Sequence, residues 1–328
     1  MTAVWQNHAA PPSIRKESIK MLKRLKKKYS RWWQLYVLIL LPFVYIIVFK
    51  YIPMAGLQMA FRRFDFQGGI WGSQWVGLDN FQRFLTNYQF KRVFINTLIL
   101  AMYSVLAGFP IPVIFALALN SVTNRYFKKT TQTITYLPHF ISTVVLVGIF
   151  KQMLHPGIGI YGKLSMALGQ RPIDLFASVD AFSHIYVWTG VWQQFGWGSV
   201  IYMANLTSVS PELHEAAQID GATRFQRVMH VDLPALLPTI IITLILRTGS
   251  IMSIGFEKVY LMQTDLNLRA SEVISTYVYK LSLGASTQGS RPDYSYATAV
   301  DLFNAIINLT LITLVNSLSK RVTENSLW

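Results

Sequence analysis

The sequence predicts an all-α integral membrane protein with about six transmembrane helices, and three observations carry that prediction. Of its 328 residues, 52% are hydrophobic and only 14% are charged, whereas an ordinary soluble domain carries about a quarter charged residues. Apolar runs long enough to cross a bilayer as helices, about 20 residues each, recur at 32–52, 93–120, 132–154, 181–205, 236–257 and 294–317. Pro42, Pro110, Pro112 and Pro138 stand inside these runs. In a membrane, neighbouring helices can cover the carbonyls that proline frees, so such runs stay helical and kink.

The formal net charge of +15 is unevenly spread. Arg15, Lys16, Lys20, Lys23, Arg24, Lys26, Lys27, Lys28 and Arg31 crowd together just before the first apolar run. A basic stretch in that place reads as a cytoplasmic anchor on anionic headgroups of the lipid bilayer. No basic groove interleaved with aromatics follows, so no nucleic acid is expected as a partner. The first run is too long for a signal-peptide core and is followed by Lys50-Tyr51-Ile52-Pro53, not by a small-residue cleavage site, so it is expected to remain as a helix.

An even number of spans puts both ends on one side. The loops after the second, fourth and sixth spans hold Arg125, Lys128 and Lys129, then Arg224 and Arg227, then Lys320 and Arg321. With the basic start they place both termini in the cytoplasm. The outer segments also carry cations, including Arg62, Arg63, Lys258 and Arg269, so orientation rests on the N-terminal cluster and the short loop at 123–130. The chain divides into a basic tail at 1–31, a transmembrane domain at 32–317 and a cytoplasmic tail at 318–328. The long outer segments, with turn residues such as Gly68-Gly69 and Pro292-Asp293, are expected to fold as lids or docking surfaces.

Several chemistries are excluded. The chain has no cysteine, which removes disulfides, thiolate metal sites and cysteine nucleophiles. The nearest approach to a phosphate-binding loop is Gly157-Ile158-Gly159-Ile160-Tyr161-Gly162-Lys163-Leu164, but Leu164 stands where a hydroxyl would hold magnesium. His139, His155, His184, His214 and His230 are scattered. No catalytic residue, metal site or cofactor is expected in this chain.

The most specific segment is 210–234. Ser210 is placed to cap a helix with Pro211 in its first turn, and Asp220 can cap a second helix after a break near Gly221. Two short amphipathic helices would then lie along the membrane face. Glu215-Ala216-Ala217, then Gly221 four residues on, then Leu233-Pro234, resemble the EAA loop of the permease subunits of ABC importers. That resemblance implies a type I importer fold in a bacterial cytoplasmic membrane, with the loop at 206–235 docking on an ATPase. By the same resemblance Glu215 contacts the ATPase, Ala216 and Ala217 allow close approach, and Gly221 permits the turn. It also implies a second homologous permease, two ATPase subunits that bind ATP and Mg, and an extracytoplasmic solute-binding protein.

Trp75-Val76-Gly77-Leu78-Asp79-Asn80-Phe81, Phe94-Ile95-Asn96-Thr97 and Tyr136-Leu137-Pro138 are similar to segments of the maltose-type carbohydrate branch of that family. The order of elements resembles permeases for complex or acidic polysaccharide fragments, of which the alginate importer is one kind. A secondary transporter driven by an ion gradient is the alternative; it would show inverted repeats and an acidic site at broken helices, and only Asp301 is a mid-span carboxylate. A membrane enzyme or receptor lacks catalytic groups and leaves the 210–234 segment without a role.

Sugars are held by aromatic faces and by amide hydrogen bonds to hydroxyls. The fourth run offers Trp188, Trp192, Gln193, Gln194 and Trp197, with 188 and 192 on one helix face by their spacing of four. A lipid-interface aromatic belt is the competing reading of the same residues. Arg247 and Asp301 are costly in lipid unless paired or facing a cavity. At about 1.5 Å per residue they lie about 15 and 10 Å below the outer ends of their spans, a match in height that suggests an ion pair bracing two helices or, less directly, contact with solute.

Overall fold

The computed structural model describes residues 32–284 and 291–323; the basic tail at 1–31 and the last residues of the C-terminal tail lie outside them. Two units are distinguished, one through Gln58 and one from Met59 onward. The first contains most of helix α1 (Trp32–Phe61), whose run passes through π turns at Ile47–Tyr51 and then tightens to 3-10 geometry at Ile52–Phe61. Its side chains are overwhelmingly aliphatic and aromatic and stand exposed, as suits a helix whose surroundings are lipid.

The second unit begins with a two-stranded antiparallel ribbon, β1 (Arg62–Asp65) and β2 (Ser73–Trp75), in which Arg62 pairs with Trp75. The short turn of helix α2 (Gly69–Gly72) joins them, and α3 (Asp79–Thr86) follows. Gly77 takes a φ of +63° between ribbon and helix, a left-handed conformation that glycine adopts without Cβ strain. Asn80 then donates to the carbonyls of Ala60 (2.9 Å) and Arg62 (3.1 Å), so the Trp75–Phe81 segment works as a structural clasp.

Helices α4 (Phe90–Gly108) and α5 (Pro110–Asn120) form one continuous run of 31 residues. Helix α6 (Arg125–Tyr136) and α7 (Thr143–Met153) are separated by a 3-10 turn at Leu137–Phe140 and meet at 101°. Pro138 and the extended Ile141 and Ser142 break the ladder there, and the Ser142 hydroxyl caps α7 by accepting from Val145 N–H. Helix α8 (Ile160–Ala167) is short. Its glycines serve close packing: a Cβ on Gly162 would lie 1.9 Å from the Pro156 carbonyl oxygen. The resemblance to a phosphate loop is a consequence of that tight turn.

Helices α9 (Val179–Gly198) and α10 (Val200–Leu206) are separated at Ser199. They are followed by α11 (Pro211–Ile219), α12 (Arg224–Arg227) and α13 (Leu233–Thr248), then by α14 (Phe256–Met262), α15 (Leu268–Ser271), α16 (Ile274–Leu281) and the long α17 (Tyr294–Thr323).

Among the described residues, four helices are long and apolar enough to cross a membrane, or five if the bent α6–α7 pair is counted as one broken span. The fourth expected run, 181–205, is helical as α9 and α10, but His184, Trp188, Gln193, Gln194 and Trp197 dilute its apolarity.

Three buried clusters hold the second unit together. Leu100, Leu146, Phe182 and Val259 join α4, α7, α9 and α14. Val113, Leu117, Tyr202 and Leu236 join α5, α10 and α13. Phe84, Val93, Ile274 and Tyr296 join α3, α4, α16 and α17.

The segment between α14 and α16 is organised by polar groups. Asn96 donates to the carbonyls of Arg269 and Glu272 (2.9 and 3.0 Å), and Thr97 Oγ1 accepts from Ile274 N–H at 2.9 Å. These bonds give the Phe94–Thr97 segment a structural role. Glu272, 3% exposed, is bound by Arg92 and by Lys280 at 3.4 Å. Fully buried Asn267 donates to the carbonyls of Phe176 (2.7 Å) and Met262 (2.9 Å) and accepts from the Ser271 hydroxyl (2.7 Å). Asn267→Ala would orphan these buried groups, at a cost of about 2–4 kcal/mol. The melting temperature of the detergent-solubilised protein is expected to fall by about 5 °C or more.

Candidate functional site

Two regions gather the residues singled out in the sequence: the 210–234 loop and a cavity among α4, α5, α9, α13 and α14. In the loop, Ser210 Oγ accepts from Glu212 N–H and Pro211 opens α11. The helix ends at Gly221, whose φ is +79°. Gly221 N–H donates to Gln218 O (3.0 Å) and Ala222 N–H to Ala217 O (2.8 Å), the paired bonds of a Schellman turn.

Asp220, expected to cap the next helix, instead closes α11. Thr223 starts α12, its hydroxyl accepting from Gln226 N–H while Gln226 Oε1 accepts from Thr223 N–H. This reciprocal box satisfies two orphan donors, more than a lone carboxylate at 220 could reach. From Arg224 the chain runs as one helix to Thr248. Leu233 and Pro234 lie inside it, directly after a π turn at Val228–Asp232 that widens the helix where the proline ring must be fitted.

Glu215 and Ala216 stand exposed on α11, with Ala217 half-buried. Large apolar side chains accompany them: Leu213, Ile219 (86% exposed) and Phe225 (73%). Beneath, His214 Nε2 lies 3.3 Å from Asp232 Oδ1, and Asn120 Nδ2 donates to the same oxygen at 3.4 Å. Asp232 is 3% exposed. The loop is thus anchored at one point to the ends of both α5 and α13. Glu215 edges a cleft of about 560 Å³ shared with His214, Arg224 and Asp232. Eighteen positions separate His214 from Asp232 and neither carries a local signal, so the pair is visible only in the fold.

The second region is a cavity of about 470 Å³. Of the expected pathway residues, Gln193 and Arg247 line it, whereas Trp188, Trp192 and Asp301 do not. Trp188 Nε1 donates to Tyr103 OH (2.9 Å), which also meets His184 Nδ1 (2.9 Å). Trp192 packs edge-on to Phe150. Gln193 Nε2 donates to Ile141 O at 2.8 Å, covering a carbonyl freed at the α6–α7 bend, so its amide nitrogen is already engaged. Gln194 Oε1 accepts from His139 Nδ1 (2.9 Å), and the His139 ring stacks on Trp197 at 4.6 Å.

The expected brace between Arg247 and Asp301 is absent. The Arg247 guanidinium turns to α4, where Nη1 donates to Gly108 O (3.2 Å) and Nη2 to Ser104 O (3.3 Å). Asp301 is exposed and joins no ion pair among the described residues. Matching height along two helices leaves their rotation free, and the rotations differ. Lys258, the first residue of the outer segment after the fifth run, completes the cavity wall and donates to Tyr186 O at 2.8 Å. Burial pulls its ammonium down from the ordinary lysine value to about 7.

Residues 108–324 match the family of binding-protein-dependent transport system inner membrane components, and the chain belongs to that family. It is 38% identical over 328 residues, all of both chains, to Protein LplB of Bacillus subtilis (strain 168). It is 37% identical to the polygalacturonan/rhamnogalacturonan transport system permease protein YteP of the same organism, covering 94% of this chain and 92% of that one. Its fold is similar to a chain in the crystal structure of a bacterial ABC transporter involved in the import of the acidic polysaccharide alginate, with a TM-score of 0.81, 37% identity and coverage of 92% and 99%. It is also similar to a chain of a bacterial alginate ABC transporter in complex with an alginate pentasaccharide-bound periplasmic protein, with a TM-score of 0.83, 36% identity and coverage of 93% and 100%.

Proposed function

We propose that this ABC transporter permease forms half of an inward path for an acidic oligosaccharide, and that the loop at 206–235 receives a separate ATPase. The observation that carries the coupling assignment is the surface of α11 and α12. Ile219 and Phe225 flank the Gly221 turn with most of their area exposed, beside exposed Glu215 and Ala216. An apolar tip of this kind, set on a turn with satisfied backbone bonds, suits insertion into a partner's cleft.

A second homologous permease completes the path, two ATPase subunits supply ATP hydrolysis, and a solute-binding protein docks on the outer segments. Both termini lie in the cytoplasm, on the side of the basic residues of the 123–130 loop. The acidic class of solute is supported by YteP and by the alginate importer, whose named polymers carry carboxylates.

The complex reconstituted in proteoliposomes, with its binding protein and a uronic-acid oligosaccharide, is expected to take up the sugar only with ATP, and with no loss when a protonophore is added. Uptake driven by an ion gradient without ATP would sink the assignment.

A further inference from the structure

Granting that an oligosaccharide passes this cavity, we propose that Lys258 and Arg247 contact it directly and select solutes that carry carboxylates. The two cations reach the same cavity from α14 and α13, and its lining includes no aspartate or glutamate. The ion pairs among the described residues engage Arg83, Arg92, His214 and Lys280, and neither of these two. Their protein contacts are backbone carbonyls: Ser104 and Gly108 for Arg247, Tyr186 for Lys258. Carbonyls orient a cation but leave its charge uncancelled, and each head keeps donors to spend, since an ammonium has three and a guanidinium five.

The backbone makes room for both heads. A Cβ at Gly108 would come within 2.8 Å of Arg247 Nη2, and one at Gly190 within 3.0 Å of Lys258 Nζ. Each cation therefore lies over a glycine, on α4 and α9 respectively. Lys258 also sits 4.8 Å from the Tyr186 ring centroid, a face that favours a cation. Full charge on both heads in a partly dry cavity is costly, which is why burial holds the Lys258 ammonium down; a carboxylate arriving between them relieves that cost and draws the proton back onto the lysine. A neutral sugar offers only hydroxyls, so it gains much less. The difference supplies selectivity by charge inside the membrane path, in addition to any exercised by an external binding protein.

The test uses the complete complex in proteoliposomes, with ATP inside, comparing uptake of labelled tetragalacturonate with that of the same tetrasaccharide after carboxyl reduction. Lys258→Gln and Arg247→Gln are each expected to lower the acidic-to-neutral uptake ratio about tenfold, with Lys258→Arg close to wild type. An equal fall for both sugars indicates a merely structural role and overturns the proposal, as does an unchanged ratio.

Should the glutamine variants not assemble, Gly190→Ala, which presses on Lys258 Nζ, decides alone: a lowered ratio supports the proposal and an unchanged one overturns it. A wild-type complex that carries the neutral sugar and refuses the uronide overturns this inference while leaving a carbohydrate path standing. A complex that carries neither sugar removes the functional reading itself.

Discussion

Gly221→Val and Glu215→Lys are expected to abolish solute-stimulated ATP hydrolysis while the complex still assembles. Gly221 holds a φ of +79° with open space where a Cβ would point, so the penalty of valine is conformational. A β-branched residue in the left-handed region costs about 1–3 kcal/mol. The chain would avoid that cost by opening the turn and re-aiming α11, displacing Ile219 and Phe225 together. Glu215 is exposed, so reversing its charge should change folding stability by less than about 0.5 kcal/mol and act only on the partner. Hydrolysis and uptake assayed on the same proteoliposomes would separate the outcomes: unchanged stimulation in both variants removes the coupling role of this loop.

Gly196→Ala is expected, with Gly162→Ala, to be among the most damaging single methyls in the described residues. Its Cβ would fall 2.1 Å from the Thr135 carbonyl oxygen, a backbone atom that no rotamer change can move. Helices α6 and α9 pack at this point through the absence of a side chain, the small-residue contact common where helices meet in membranes. Separating them would cost about 3 kcal/mol or more and would disturb the α6–α7 bend that Gln193 stabilises. Size-exclusion profiles of detergent extracts should show little folded Gly196→Ala protein, with Gly148→Ala, where nothing lies within 4 Å, as the undisturbed control. Equal yields would mean that the helices tolerate a wider spacing.

The features legible in the sequence are those set by neighbours along the chain. Ser210, Pro211 and Gly221 specify the α11 loop because caps and left-handed turns are local, and the apolar runs specify helices because lipid requires internal backbone bonds. Asp220 misled at the same scale: Thr223, three residues on and followed by a glutamine three positions later, takes the cap instead.

What was illegible depends on rotation. Spacing places Trp188 and Trp192 on a common face without saying which neighbour that face meets, and it meets Tyr103 and Phe150, not the cavity. Counting residues gave the heights of Arg247 and Asp301 but not their directions. Lys258 carried no signal, because a lysine after an apolar run ordinarily marks an interface; only the packing of α14 against α9 turns it inward.

The unbroken run from Arg224 to Thr248 has a mechanical consequence. Its near end bears the capped turn beside Gly221 and its far end bears Arg247, about 35 Å away at helical rise. No break intervenes; one widened turn lies close to the near end and the Pro238 ring near the middle, and the run as a whole acts as a lever. A tilt of about 10° at its base would sweep the guanidinium through about 6 Å, farther than a hydrogen bond can stretch. Under the proposed coupling, stroke and release are one event: a rotation that follows an ATPase movement would pull Arg247 off whatever it holds.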